Sequence, residues 1–295
     1  MPIKHFIEYL SFEKKYSAHT VRAYRDDLNS FQSFCNKTFD NEAIIDVNYS
    51  QIRSWIVEMV NENISNRTVN RKISSLKSFY KFLVKTKQIK ESPLLRHQAL
   101  KISKRVQVPF SEKEINEVIG NFKDDGDFES VRNKLIVELL YSTGMRRAEL
   151  IEIDKNSINF TSSTLKVLGK RNKERYIPLL NSVQQTLKLY LNLKQEIPAH
   201  CDNLLITVKG NKLYPTLVYR IINDYFSAVS SKVKKSPHVI RHSFATHLLN
   251  EGADLNSVKE LLGHSSLAST QVYTHSSLNE IKKVYNKAHP RSIKT

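Results

Sequence analysis

Residues 164–179 read TLKVLGKRNKERYIPL, and this stretch decides the fold class of the second half of the chain. Two short β-prone runs, 164–168 and 175–179, flank the segment 169–173, which contains Gly and Asn and is rich in basic side chains. Two such runs around a turn-forming segment predict a β-hairpin with a basic tip. Helical patterns lie on both sides of it. The sequence therefore predicts a mainly α-helical domain with a small antiparallel β-sheet, an α+β fold.

The regions on either side of the hairpin have helical periodicity. A buried helix that stops near Gly144 is predicted from the apolar residues Leu135, Ile136, Leu139 and Leu140. After the hairpin, helical patterns resume from about Asn181 and continue to the end. In the first third, Ser17 is a candidate N-cap for an amphipathic helix with the apolar stripe Val21, Tyr24, Leu28, Phe31 and Cys35. A second stripe consists of Val69, Ile73, Leu76, Tyr80 and Leu83.

A change in composition separates two domains. Between Ser92 and Pro109 the periodicity weakens, prolines lie near both ends, and basic residues occur without acidic ones. Ser111 and Glu114 then form a capping box that begins a new helix. We therefore expect a helical N-terminal domain over 1–90, an extended basic linker over 91–109 and a second domain over 110–295.

The charge of the chain favours a polyanionic partner. The 295 residues include 46 Lys and Arg against 29 Asp and Glu, a net charge of +17, and both halves are basic. A composition of 40% hydrophobic and 25% charged residues is typical of globular proteins. Two cysteines exclude a disulfide framework, and neither a signal peptide nor a membrane-spanning run is evident. We expect a soluble cytoplasmic protein that binds nucleic acid, although a basic surface kept for solubility explains charge alone equally well.

The predicted helix that begins near residue 66 combines an apolar face with a basic one. Such a helix can bury the first face and offer the second to phosphates, and a helix of a soluble bundle remains the alternative. The candidate DNA-binding residues are Arg67, Arg71, Lys72, Lys77 and Lys81.

The segment SPHVIRH, residues 236–242, predicts an anion site. Ser236 and Pro237 suit the first positions of a helix, and His238 and Arg241 then lie on one face of its first turn. Free N–H groups at that helix end, an imidazole and a guanidinium together suit a phosphate. His238 and His242 also have the spacing of metal ligands, but Val239 stands where a metalloprotease has its glutamate and Arg241 repels cations. We therefore predict no metal, and a structural histidine pair remains the alternative.

Three further clusters have ordinary structural explanations when each is considered alone. Arg146 and Glu149, three residues apart, could be a helical ion pair. Lys170 could be a charged turn residue. His264 follows a helix-ending glycine, and Tyr273 could belong to the core.

Taken together and in order, the motifs TGMRRAEL, LGKRNKER, HVIRH, LLGH and TQVYTH resemble the catalytic domain of the tyrosine site-specific recombinases, the phage integrase family. The N-terminal stretches SAHTVRAYRDDLNSF and SNRTVNRKISSLKSFYKFL resemble that family's SAM-like core-binding domain. The ending KVYNKAHPR is similar to the Xer branch, which resolves bacterial chromosome dimers. One departure is Arg171, where the family often has glycine in the turn after the lysine.

The resemblance implies a set of catalytic residues and a reaction. The residues around the scissile phosphate would be Arg146, Lys170, His238, Arg241 and His264, with Tyr273 as the nucleophile and Glu149 in a supporting role. The two arginines would clamp the phosphate, His238 would act as base and Lys170 as general acid. The products would be a 3′-phosphotyrosine and then a Holliday junction, with neither ATP nor a metal as cofactor.

The resemblance also implies partners and leaves alternatives open. Two domains would form a C-shaped clamp on a double-stranded recombination site. The resemblance implies a tetrameric synapse that includes a second Xer-type subunit, and a septal DNA translocase as a further partner. It implies no membrane partner. A transposon or phage integrase, a type IB topoisomerase-like enzyme and a non-enzymatic DNA-binding protein remain alternatives. An apolar stripe after Tyr273, formed by Leu278, Ile281, Val284 and Tyr285, would dock on a neighbouring subunit or on its own domain.

Overall fold

The computed structural model describes residues 2–40, 43–103, 107–122, 126–169, 173–263 and 275–292, with the backbone alone for 275–281. The chain divides into two compact units, Met1–Arg105 and Val106–Thr295. Each unit encloses its own apolar core. In the described part of the chain, no helix is long and apolar enough to cross a membrane.

The described part of the first unit is helical. Its elements are α1 (Pro2–Glu8), which continues into a π-helical turn (Tyr9–Glu13), α2 (Ala18–Phe39), α3 (Tyr49–Asn61) and α4 (Asn66–Lys85). Ser17 caps α2 as predicted, because its hydroxyl accepts the N–H of Thr20. Both predicted stripes lie in the core of this unit. Leu28, Phe31 and Cys35 are buried on α2, and every residue of the α4 stripe is buried.

The described part of the segment after α4 differs from the extended conformation that we predicted. A turn forms where Leu95 N–H donates to Ser92 O and His97 N–H donates to Leu94 O. Leu94 is buried in the core of the first unit. Asn70 fixes the chain further on, since its amide both donates to and accepts from the backbone of Leu100. Buried apolar area and these side-chain bonds hold the segment on the first unit, a cause that composition does not reveal.

The second unit has the predicted α+β composition. Its elements are α5 (Glu112–Gly120), α6 (Phe128–Thr143), α7 (Arg147–Glu152), a 3₁₀ turn (Lys155–Ser157), β1 (Ile158–Asn159), β2 (Thr164–Leu168), β3 (Glu174–Pro178), α8 (Asn181–Lys194), α9 (Pro215–Val229), α10 (Pro237–Asn250), α11 (Leu255–Leu262) and α12 (His275–Ala288). The capping box of Ser111 and Glu114 begins α5 as predicted.

The predicted hairpin is formed by β2 and β3, which pair antiparallel with Leu165 opposite Ile177 and Val167 opposite Arg175. The short strand β1 adds a third antiparallel strand along β2. Leu165, Val167 and Ile177 face the core, so Arg175 shares the buried face with them. The tip of the hairpin, residues 170–172, lies outside the described residues.

Helix α6 lies at the centre of the second unit and is buried on all sides in its second half. It packs against α8, α10 and α7. It ends at Gly144, whose φ of 59° is left-handed. A Cβ at this position would lie 2.3 Å from Phe244 Cδ1, so both the backbone conformation and the space require glycine.

Helix α12 contacts its own unit through its described side chains. Tyr285 is fully buried, and its hydroxyl donates to Ser142 O at 2.8 Å. Val284 packs against the same core, and Lys282 Nζ donates to Ser162 O. Leu278 and Ile281 lie outside the described side chains. For Val284 and Tyr285 the structure therefore favours the second of the two predicted alternatives, packing on their own domain.

Candidate active site

The turn after α6 places Arg146 at the N-terminus of α7. Glu149 lies three residues on, and its carboxylate accepts the Arg146 backbone N–H at 2.8 Å and Nη1 at 2.7 Å. Glu149 is buried, whereas 38% of the Arg146 side chain is exposed. The predicted ion pair is present. Glu149 fixes the Arg146 side chain from one side, and Nη2 makes a long bond of 3.5 Å to Gly263 O. The partly exposed guanidinium keeps further N–H groups that can bind an anion.

Helix α10 brings Arg241 to the same turn. Its Nη1 donates to Gly144 O and its Nη2 donates to Leu262 O at 2.8 Å. Partial burial, followed by the nearby positive charge of Arg146, lowers the pKa of Arg241 to about 10. The group therefore remains charged at neutral pH, and two guanidinium groups lie close enough to repel each other. Such a pair favours an anion between them.

His238 lies on the first turn of α10 and is exposed. Ser236 is at the N-cap position as predicted, although its side chain makes no capping hydrogen bond. Loss of hydration lowers the pKa of His238, and the charges of Arg147 and Arg241 lower it further. The imidazole is therefore neutral at neutral pH and can accept a proton.

A residue that the sequence analysis missed, Arg175 on β3, completes the charged cluster. Its Nη1 and Nη2 donate to the two carboxylate oxygens of Glu149 at 3.2 and 2.7 Å, and its Nε donates to Leu261 O at 3.1 Å. Both partners are almost fully buried. Glu149 thus bonds Arg146 and Arg175, while Arg241 is held by carbonyl groups. Burial raises the pKa of the Glu149 carboxyl. The hydrogen bonds and charge of Arg175 and the hydrogen bonds from Arg146 lower it by more, so the pKa lies below its ordinary value.

Lys170, His264 and Tyr273 lie outside the described residues. The residues immediately before the first two are described, and both lie against Arg175. A Cβ at Gly169 would be 3.4 Å from Arg175 Nη1, and a Cβ at Gly263 would be 3.1 Å from the same atom. Gly263 caps α11 with a φ of 65°, as its predicted C-cap role requires. Gly169 and Gly263, which directly precede Lys170 and His264 in the sequence, therefore lie at the edge of this cluster.

The candidate DNA-binding residues of α4 differ in their contacts. Arg71 pairs with the buried carboxylate of Asp27 and Lys72 donates to Ser30 Oγ. Lys77 donates to His97 O. These three side chains therefore have structural roles within the first unit, although Arg71 and Lys77 are still exposed. Arg67 and Lys81 are exposed.

His238 and His242, the spacing considered for a metal, have no third ligand beside them among the described residues. Among the described residues, no group of three or more His, Cys, Asp or Glu side chains lies close enough to hold a metal ion. His242 is exposed on the second turn of α10.

Comparisons with known proteins identify the family. The model described as "Phage integrase family" matches residues 108–280, and "Phage integrase, N-terminal SAM-like domain" matches 3–87. The proteins named Tyrosine recombinase XerC of Bacillus licheniformis and Bacillus subtilis are 39% and 38% identical to this chain. The alignments cover 98% and 99% of this chain and 96% and 97% of the relatives.

A solved structure has the same fold. The XerH site-specific recombinase, bound to a palindromic difH substrate in a post-cleavage complex, matches with a TM-score of 0.70 at 20% identity. The match covers 95% of this chain and 83% of that chain. With the near-complete alignment to the XerC relatives, these matches show that the chain belongs to the phage integrase family, among the tyrosine recombinases.

Proposed function

We propose that this protein is a site-specific tyrosine recombinase that cuts and rejoins double-stranded DNA through a 3′-phosphotyrosine intermediate and a Holliday junction. The observation that carries the proposal is the pair Arg146 and Arg241. Two charged guanidinium groups from separate helices are held at one turn by Glu149 and by backbone carbonyl groups. A phosphodiester that is attacked in line develops negative charge on its non-bridging oxygens, and a preorganised pair of arginines stabilises that charge.

The remaining roles follow from the chemistry of each side chain. Tyr273 is the nucleophile, and the neutral imidazole of His238 accepts the phenol proton, since a phenol with a pKa near 10 needs activation. Lys170 at the hairpin tip protonates the leaving 5′ oxygen, and His264 donates to a phosphate oxygen. Glu149 holds Arg146 without contacting DNA. No metal or nucleotide is needed because the energy of the broken bond is conserved in the phosphotyrosine.

The match of residues 3–87 to the SAM-like model supports a core-binding role for the first domain, and both parts of the chain have an excess of basic residues that suits DNA. Residues 1–90 form the core-binding domain, 91–109 connect the domains, and 110–295 form the catalytic domain. Before residue 110 there are 19 basic and 10 acidic residues, and the remainder has 27 and 19. Arg67 and Lys81 are the α4 side chains best placed to bind phosphates, because Arg71, Lys72 and Lys77 also serve partners within their own unit.

The biological role that we propose is chromosome dimer resolution in the cytoplasm. Relatives named XerC align with nearly all of this chain, which favours the Xer branch over a mobile-element integrase. On this proposal the enzyme assembles as a tetramer with a second Xer-type subunit on a chromosomal site. A septal DNA translocase would activate that complex before division.

A nicked suicide duplex tests the proposed chemistry. The protein, with and without its Xer-type partner, is incubated with a duplex that contains the candidate chromosomal resolution site, and adducts are separated under denaturing conditions. We expect an SDS-stable protein–DNA adduct that Tyr273→Phe abolishes while DNA binding is retained. Tyr219→Phe, which alters an exposed tyrosine on α9, is the control and should form the adduct normally. An adduct formed by Tyr273→Phe, or none from the wild type with its partner, would overturn the proposal.

A further inference from the structure

Arg175 is a buried arginine whose hydrogen bonds all leave its own strand. Only 5% of its side chain is exposed. Two of its nitrogens bind the two oxygens of Glu149, and the third binds the carbonyl of Leu261. A guanidinium fixed at three nitrogens in a buried site has little freedom to rotate.

Each contact of this guanidinium leads to a neighbour of the proposed reaction centre. Glu149 is also the carboxylate that holds Arg146. Leu261 precedes Leu262, whose carbonyl accepts Arg241 Nη2. The two glycines that lie against the Arg175 guanidinium, Gly169 and Gly263, directly precede Lys170 and His264 in the chain.

We propose that Arg175 is a positioning residue for DNA cleavage, which acts through Glu149 and the end of α11 to hold Arg146 and the chain segments that enter Lys170 and His264. This inference rests on the function proposed above. Arg175 contacts no substrate in this account. Its effect is on geometry, and a displacement of about 1 Å among catalytic groups can slow a reaction about 100-fold.

The second unit also contains a matched control. Arg132 on α6 is as deeply buried as Arg175, with 1% of its side chain exposed. Among the described residues, its side-chain hydrogen bonds go to Glu129 and Asn133, which lie on its own helix. Arg132 is eleven residues before Thr143, about 16 Å along the helix from the turn that carries Arg146. Both arginines are buried, although the carboxylate partner of Arg132 is 54% exposed and that of Arg175 only 6%. Of the two, only Arg175 contacts the cluster in the described part of the chain.

The experiment compares Arg175→Lys with Arg132→Lys in single-turnover cleavage of the suicide duplex at saturating protein. Circular dichroism and DNA affinity are measured in parallel. A lysine at 175 can bond Glu149 but cannot also span to Leu261 O, so we expect the cleavage rate to fall at least about 10-fold. The dissociation constant for DNA should change less than about 3-fold. Arg132→Lys should cleave within about 3-fold of the wild-type rate.

A double-mutant cycle tests the route through Glu149. If Arg175 acts through that carboxylate, Arg175→Gln combined with Glu149→Gln should cleave about as slowly as the slower single variant. A cleavage rate equal to the product of the two separate effects would overturn this route.

The outcomes separate the two proposals. A wild type without an adduct overturns the proposed function, and the role of Arg175 with it. A wild type with an adduct and an Arg175→Lys variant that matches Arg132→Lys in cleavage overturns the role of Arg175 alone. The role of Arg175 is also overturned if Arg175→Lys loses cleavage rate and DNA affinity by the same factor. If Arg175→Gln fails to fold, the comparison of Arg175→Lys with Arg132→Lys tests the role of Arg175 by itself.

Discussion

The substitution Glu149→Gln removes the negative charge that two arginines share. The carboxylate is 6% exposed and accepts bonds from Arg146 and Arg175, and the Arg175 guanidinium is itself buried. Glutamine keeps an acceptor oxygen for the Arg146 backbone N–H but leaves the Arg175 charge buried without a counter-charge. Removal of one partner of a buried ion pair costs about 3–5 kcal/mol, because the remaining charge keeps its desolvation penalty.

Allowing for the retained hydrogen bond, worth about 1 kcal/mol, we expect the second unit to lose about 3 kcal/mol of unfolding free energy. For a unit of this size the corresponding decrease in Tm is about 6–12 °C. Glu152→Gln on the same helix is the control. Its ion pair with Lys212 is exposed, with 62% of the glutamate side chain accessible, and should contribute about 0–1 kcal/mol.

Urea denaturation followed by circular dichroism at several pH values measures both variants. The folded-state pKa of Glu149 lies below the ordinary value of 4.5, so the stabilisation is complete above pH 4.5 and is lost as the pH falls through the folded pKa. The difference between wild type and Glu149→Gln should therefore be constant near neutral pH and shrink in acid. A loss below about 1 kcal/mol at pH 7, or equal losses for both variants, would refute the buried-pair account.

Three further predictions concern other parts of the chain. Gly144→Ala should lower the unfolding free energy of the second unit by at least about 2 kcal/mol in urea denaturation, because its Cβ would clash with Phe244. The control Gly252→Ala, with a φ of 84° but open space around it, should lower it by about 1 kcal/mol, and equal losses would contradict the steric argument. Because the pKa of His238 lies below 6.5, the wild-type cleavage rate should decline only below that pH, and the rate of His238→Gln should not show this decline. A wild-type decline that begins above pH 7 would exclude His238 as the base. Lys81→Ala should reduce the slope of log affinity against log salt concentration by about 0.9, and an unchanged slope would remove Lys81 from the DNA interface.

Local signals were sufficient for much of the fold. The capping box of Ser111 and Glu114, the hairpin of β2 and β3, and the glycine stops at Gly144 and Gly263 all depend on residues close together in the sequence. Apolar spacing also identified the buried faces of α2 and α4, since a regular helix repeats the same face every three or four residues.

The features that sequence did not predict depend on contacts between distant segments. Arg175 is predicted as a strand residue, but its pairing with Glu149 joins β3 to α7, and periodicity says nothing about which elements meet. One signal was available: Arg175 is on the inward face of β3 with Ile177, and a buried arginine requires a buried partner. Similarly, an apolar stripe identifies a buried face of α12 without identifying its partner, and Tyr285 turns out to pack within its own unit.

The most direct test of the central claim is mass spectrometry of the trapped protein–DNA adduct after digestion with trypsin and nuclease. Cleavage after Lys259 and Lys282 releases the peptide 260–282, in which Tyr273 is the only tyrosine. We expect this peptide to carry a nucleotide through its 3′ phosphate on Tyr273, with a free 5′ hydroxyl on the released DNA strand. A nucleotide on any other residue, or a 5′ linkage, would contradict it.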